Sequence, residues 1–286
     1  MNEYNVAYKN NVLAIDFPNV RKGWEQWMLW SSDRHHDNVL CRQDLELKHL
    51  KQAQEREALI FDNGDLFCAM QGKYDPRSNL DNLRPEDKRE DYLDAIVDHA
   101  VGFYKPYAAN FALIGQGNHE RGIEKRLGTN LSKRLVKGLN EEGGNVHLGN
   151  YGGYVRLQFT IYQTQMTSRN IKYYHGKNAS NAPVTRGVID TARLAVYLPD
   201  ADFVFTGHSH DTWYMPIRRE RVSQKGVIHF DYIHFLRTTT YKDEYGLGEK
   251  GFAVESGKPP KPLGAAWLRF YYEDGVIMCD PMLAVL

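Results

Sequence analysis

The chain has 286 residues, 42% of them hydrophobic and 12% aromatic, which supports a sizeable core and excludes global disorder. Its 36 basic residues are balanced by 36 acidic ones, so any role with nucleic acid must rest on a local patch rather than on bulk charge. Three scattered cysteines give no disulfide framework, no apolar run nears the roughly 18 residues of a membrane span, and the opening "MNEYNVAYKN" lacks the segments of a signal peptide. A soluble cytoplasmic protein is expected, with a single domain over residues 1–286.

In chain order, "WMLWSS" (27–32) reads as a strand. A helix over about 39–55 follows, with Leu40, Leu47 and Leu50 on one face and Asp37 as its expected cap. "ALIFDN" (58–63) is a second strand, and "NFALIGQ" (110–116) a third after a helix in the nineties. Leu131, Leu135 and Leu139, at i, i+4 and i+8, predict another helix. "IKYYHG" (171–176) is a strand, and Ile189, Ala192 and Val196 mark a helix before the strand "DFVFTG" (202–207). From about 212 the pattern turns β-rich and closes in a hairpin turning at Glu273, Asp274 and Gly275. Two segments fit neither class, 74–91 and 237–264. The second, 28 residues rich in Gly, Lys and Pro, is expected to be an irregular loop or lid.

The chemistry sits after the strands. "DRH" places Asp33 and His35 at i, i+2, and "GD" places Asp65 behind Gly64. "GNHE" supplies Asn118, His119 and Glu120, "YYHG" supplies His175, and "GHSH" supplies His208 and His210. Singly, each is as well explained by a turn or a packed histidine. Together they deliver carboxylate, amide and imidazole groups to the carboxyl ends of five strands, where open α/β sheets bind ligands. Alternation along an extended segment would turn His208 and His210 to one side and Ser209 to the other.

The ordered series D-x-H, G-D, G-N-H-[DE], a lone His and G-H-x-H resembles the signature of the calcineurin-like metallophosphoesterases, over about residues 25–215. The resemblance implies a four-layer αββα sandwich of two mixed β-sheets flanked by helices, with the β-rich tail fitting the second sheet. It implies a dinuclear centre bridged by Asp65, with Asp33, His35 and His210 on one cation and Asn118, His175 and His208 on the other. Manganese is expected ahead of iron or zinc. A metal-bridging hydroxide would attack a phosphate ester, His119 would protonate the leaving group, and Glu120 would orient His119.

The expected activity is a phosphodiesterase or nuclease acting on a nucleotide or nucleic acid. The alternatives are a phosphomonoesterase and a non-catalytic metal-binding scaffold. "GDLFCAM" departs from the "GDLFH" of nuclease-type members, with Cys68 read as a packed thiol, and also from the G-D-x-V-D-R-G of the protein-phosphatase branch. Arg121, Lys125 and Arg126 are candidate substrate contacts. With Lys133, Arg134 and Lys137 they form either a path for a polyanion or a solvated helical face.

Overall fold

The computed structural model describes residues 2–69, 82–176, 188–246 and 252–286. It begins with a hairpin, β1 (Asn5–Lys9) and β2 (Val12–Val20), turned by Asn10 and Asn11 at positive φ. Then come β3 (Glu25–Ser31), α1 (Gln43–Glu55), β4 (Leu59–Asp62), α2 (Tyr92–Tyr104), β5 (Phe111–Ile114), α3 (Asn118–Leu127) and α4 (Leu131–Glu141). After β6 (His147–Leu148), β7 (Gly152–Ile161) and β8 (Gln165–Tyr174) form a second hairpin, followed by α5 (Val188–Tyr197) and β9 (Phe203–Thr206). The chain ends with β10 (Trp213–Val222), β11 (Ile228–Arg237), α6 (Phe252–Glu255), β12 (Gly264–Glu273) and β13 (Val276–Val285).

Two mixed sheets result, ordered β1-β2-β7-β8-β9-β11-β10 and β13-β12-β3-β4-β5-β6. Alternation along each strand divides the apolar residues between two layers. Met28 and Trp30 of β3 and Phe61 of β4 meet Phe159, Phe203 and Phe205 of the facing sheet, while Leu29 and Ile60 point to the helices. Leu45, Leu50 and Ala53 of α1, Ile96 and Ala100 of α2, and Leu131, Leu135 and Leu139 of α4 cover that outer face. On the other side, Leu194 and Ala195 of α5 cover Val204, Ile233 and Phe235. The fold is therefore a four-layer αββα sandwich of two mixed sheets flanked by helices. No helix among the described residues is long and apolar enough to cross a membrane.

Several local expectations are corrected. No strand is expected before residue 27 or between residues 139 and 171, yet β1, β2 and β7 form much of one sheet. The β-rich tail is not a second sheet: β11 pairs parallel with β9, whereas β12 pairs antiparallel with β3, so each sheet receives one terminal hairpin. Helix α1 starts at Gln43 rather than near 39, and Arg42 precedes it without a side-chain cap. Asp37 is no helix cap. It is buried, and its carboxylate accepts from the backbone N–H groups of Cys68 (2.5 Å) and Ala69 (2.8 Å) and from the Tyr92 hydroxyl (2.9 Å). In the 237–264 segment, Thr238, Thr239, Thr240, Tyr241 and Lys242 are buried and wall the ligand loops; residues 247–251 lie outside the described residues. Of the 74–91 segment, residues 82–91 are described and hold a short 3-10 turn, Pro85–Asp87.

Candidate metal centre

The candidate ligands converge from both sheets. The loops after β3, β4 and β5 bring Asp33, His35, Asp65, Asn118 and His119, and those after β8 and β9 bring His175, His208 and His210. Close to these loops, the Trp30 ring of one sheet stacks on Phe205 of the other at 4.3 Å and on Phe61 at 4.4 Å. This apolar contact fixes the two strand ends against each other.

The loops are tightly wound. Asp33, His35, Asp65, His208 and His210 all have positive φ, between 47° and 71°. Such backbone is uncommon outside glycine and concentrates at functional sites, where surrounding contacts hold it. This corrects the extended reading of 208–210: His208 and His210 reach the centre through left-handed turns, and the Ser209 N–H bonds back to the Gly207 carbonyl (2.9 Å). Ser209 Oγ accepts from the Arg237 guanidinium at 3.1 Å.

Between Asp33 and His35, Arg34 is fully buried and donates to Asp62 (2.8 Å) and Glu46 (2.7 Å), with its guanidinium beside the Tyr104, Phe111 and Tyr241 rings. This clamp anchors the D-R-H loop from beneath. Nothing in the sequence marks Arg34 as structural except its place between two candidate ligands.

Among the described residues, the sequence-predicted ligands fall into two groups whose ligand atoms lie within 4.8 Å of one another: Asp33, His35 and His210, and Asp65, His175 and His208. In the first, Asp33 Oδ2 accepts from Ser32 Oγ (2.5 Å) and the His208 backbone N–H (2.8 Å). Asp33 Oδ1 is buried without a hydrogen-bond partner and faces His210 Nε2 at 3.4 Å, while His210 Nε2 and His35 Nε2 face each other at 3.3 Å. An orphaned carboxylate oxygen beside two head-to-head imidazoles is costly alone and satisfied by a cation between them. In the second group, His175 Nδ1 donates to the Asn63 carbonyl (2.9 Å), which turns Nε2 toward Asp65 Oδ2 (3.0 Å) and Asn118 Oδ1 (3.2 Å). Asp65 Oδ1 accepts the His119 N–H at the start of α3 (2.9 Å), leaving Oδ2 turned inward. Oxygen and imidazole donors of this kind suit divalent cations such as Mn²⁺, Fe²⁺ or Zn²⁺.

The electrostatics without cations agree with this assignment. Burial alone would raise the Asp33 and Asp65 carboxyls, but neighbouring histidines hold both below the usual range, Asp65 well below it. Burial opposes charge on His175 too, yet the carboxylates of Asp65, Asp33 and Glu120 outweigh it and push its pKa up to about 10. His35 is driven well down by burial and by His119. A cation at the Asp65–His175 contact would compete with a proton for the same atoms.

His119 lies beside both groups, its ring 4.9 Å from that of His35 and its Nε2 3.8 Å from Asp65 Oδ2. It is oriented by the Cys68 carbonyl, which accepts from Nδ1 at 2.6 Å, and not by Glu120. Glu120 is buried and accepts from the backbone N–H groups of Gly117 (2.8 Å), Phe67 (2.9 Å) and Asp65 (3.1 Å), so it ties the Asp65 loop to α3. Burial and the nearby Asp65 charge raise its pKa to about 8.

Arg121 pairs with Glu124, Arg134 with Asp94 and Lys137 with Glu141, so the basic stripe is interleaved with acids. Lys125 and Arg126 are exposed in the last turn of α3, where cations complement the helix dipole. By helical rise Lys125 sits about 9 Å along the axis from His119.

The 237–264 segment supplies site residues that motif reading passes over. Thr240 Oγ1 donates to the Asp33 carbonyl (2.6 Å), and Thr238 Oγ1 meets Ser32 Oγ (2.7 Å). Lys242, buried, pairs with Glu244 (2.7 Å), whose carboxylate lies 3.9 Å from His210 Nδ1.

No family model matches the chain, and no curated protein matches it. Among solved structures it is similar to a calcineurin-like phosphoesterase, YfkN, from Bacillus subtilis (14% identity, 90% of each chain, TM-score 0.35). It is similar also to a metallophosphoesterase from Sphaerobacter thermophilus (12% identity, 90% of this chain and 89% of that one, TM-score 0.35). A third is Vps29 complexed with zinc from Entamoeba histolytica (12% identity, 90% of this chain and 98% of that one, TM-score 0.37). At this level of likeness the site is read from its own atoms.

Proposed function

We propose that the chain is a dinuclear metal-dependent phosphoesterase of the calcineurin-like class, and within it a phosphodiesterase acting on nucleotides or nucleic acid with Mn²⁺. The observation that carries this reading is the pair of carboxylate-and-imidazole groups, one built on Asp33 and the other on Asp65, with the orphaned Asp33 Oδ1 in the first. Two bound divalent cations supply charge neutralisation at phosphorus and lower the pKa of water, the chemistry that phosphate-ester hydrolysis needs.

The chain's own residues do the rest. Asp33, His35 and His210 would hold one cation and Asn118, His175 and His208 the other, with Asp65 between. Ser32 and the His208 N–H fix the Asp33 carboxylate, Asn63 fixes the His175 tautomer, and Glu120 fixes the turn that carries Asp65. Because a carbonyl only accepts, His119 Nδ1 is the N–H that donates to the Cys68 carbonyl, and Nε2 is the atom left to face a leaving group. A protonated Nε2 there would donate to the departing oxygen. Lys125 and Arg126 would contact only a substrate that extends about 9 Å from this point, as an oligonucleotide does. Three free thiols, two of them buried, suit a reducing, cytoplasmic setting.

The test is stripping with chelator, readdition of Mn²⁺, and hydrolysis of bis(p-nitrophenyl) phosphate against p-nitrophenyl phosphate. Cation-dependent turnover, faster on the diester, is expected. Faster monoester turnover would make the protein a phosphomonoesterase, and no turnover with any divalent cation would leave only a scaffold.

A further inference from the structure

We propose a third cation position, built from His35, Cys68 and His119, that takes a thiophilic divalent ion such as Zn²⁺ or Cd²⁺ and withdraws His119 from use. One ligand atom from each of these residues lies within 4.8 Å of the other two. A sulfur and two imidazole nitrogens are a softer donor set than the groups beside it, in which a carboxylate oxygen takes the place of the sulfur, and select zinc-like ions over Mn²⁺.

Cys68 is buried, and its Sγ accepts a hydrogen bond from Asn38 Nδ2 at 3.3 Å. His35 is 2% exposed, and its Nδ1 is buried with no hydrogen-bond partner. The Cys68 carbonyl holds the His119 ring through Nδ1, so one residue supplies the thiol and positions an imidazole of the same cluster. Burial keeps the thiol protonated, and occupation exchanges the Sγ–H bond for a sulfur–metal bond, with the proton leaving to solvent. The other cysteine-containing cluster among the described residues, His36, Cys41 and Glu46, differs: Glu46 there is already paired with Arg34 and His36.

A soft cation at Cys68 takes His119 away from the leaving group and, because His35 belongs to both groups, adds charge beside the Asp33–His210 position. The resulting zinc inhibition of hydrolysis rests on the function proposed above, whereas the site itself does not.

The test is a Cd²⁺ titration of the Mn²⁺-loaded protein, read by the ultraviolet cadmium–thiolate charge-transfer absorption, which needs no turnover. The wild type and Cys41→Ser should develop the band, and Cys68→Ser, checked as folded by circular dichroism, should lose it. A band retained in Cys68→Ser, or none in the wild type, overturns the assignment. His119→Ala keeps the thiol and should shift the Cd²⁺ midpoint upward by at least about tenfold, the loss that even an outer partner causes; an unmoved midpoint removes His119 from the site. A normal band without phosphoester hydrolysis would sink the proposed function and leave the cation site standing.

Discussion

Gly117→Ala isolates the centre from the fold. Gly117 has φ −102° and ψ −169°, extended backbone open to any residue, so alanine brings no conformational penalty. What it brings is a Cβ 2.0 Å from Asp65 Oδ1 and 2.5 Å from both Asp65 Cγ and the Asp65 backbone nitrogen. Ordinary contact at 3.4 Å requires the Asp65 carboxylate oxygen to move by about 1.4 Å and the Asp65 backbone nitrogen by about 0.9 Å, which displaces a candidate ligand and the turn that carries it. Overpacking of this kind costs about 1–3 kcal/mol of stability, which leaves the protein folded. A misplacement near 1 Å at a reacting centre costs about 100-fold in rate. The variant should therefore melt cooperatively, bind Mn²⁺ more weakly by calorimetry and hydrolyse bis(p-nitrophenyl) phosphate at about 1% of the wild-type rate or less. Wild-type turnover with intact Mn²⁺ affinity would refute the placement of Asp65 at the centre.

Arg34→Met should cost about 3–5 kcal/mol in chemical denaturation, because Asp62 and Glu46 stay buried after losing their shared cation; a loss below about 1 kcal/mol would contradict the clamp. His49, within hydrogen-bond distance of the Tyr241 hydroxyl (2.9 Å), is held by burial and by Arg34 near a pKa of about 4. Below its ordinary value of 6.5 the unfolded chain binds a proton that the folded chain refuses. Its contribution therefore falls as pH drops from about 6.5 toward 4, by up to about 1.4 kcal/mol per pH unit. His49→Gln should flatten the stability–pH curve of the chelated protein in that window, and an unchanged slope would count against a neutral buried His49. His119→Ala should keep its Mn²⁺ and lose rate more for poor leaving groups than for good ones; equal losses would contradict proton donation.

The residue types of the centre and the loops that carry them are legible in the sequence, because a strand end followed by a polar cluster is a local pattern. Asp33, His35, Asp65, Asn118, His175, His208 and His210 can be named from spacing and resemblance, and α4 from the period of its leucines. The β1–β2 hairpin was within reach of the same reasoning: Leu13, Ile15 and Phe17 alternate inward after an Asn-Asn turn.

Partnership was not legible. Glu120 reads as the neighbour of His119 yet bonds the turn 55 residues upstream, and Asp37 reads as a cap yet receives the N–H groups of Cys68 and Ala69. The donors that occupy one oxygen of Asp33 include the N–H of His208, 175 residues away, and only that approach leaves Oδ1 unpaired. So the sequence by itself determined which donor atoms the protein owns and roughly where strands deliver them. Tertiary structure alone decided which oxygens and nitrogens remain uncommitted, because a buried polar atom bonds whatever long-range strand pairing brings within about 3 Å of it.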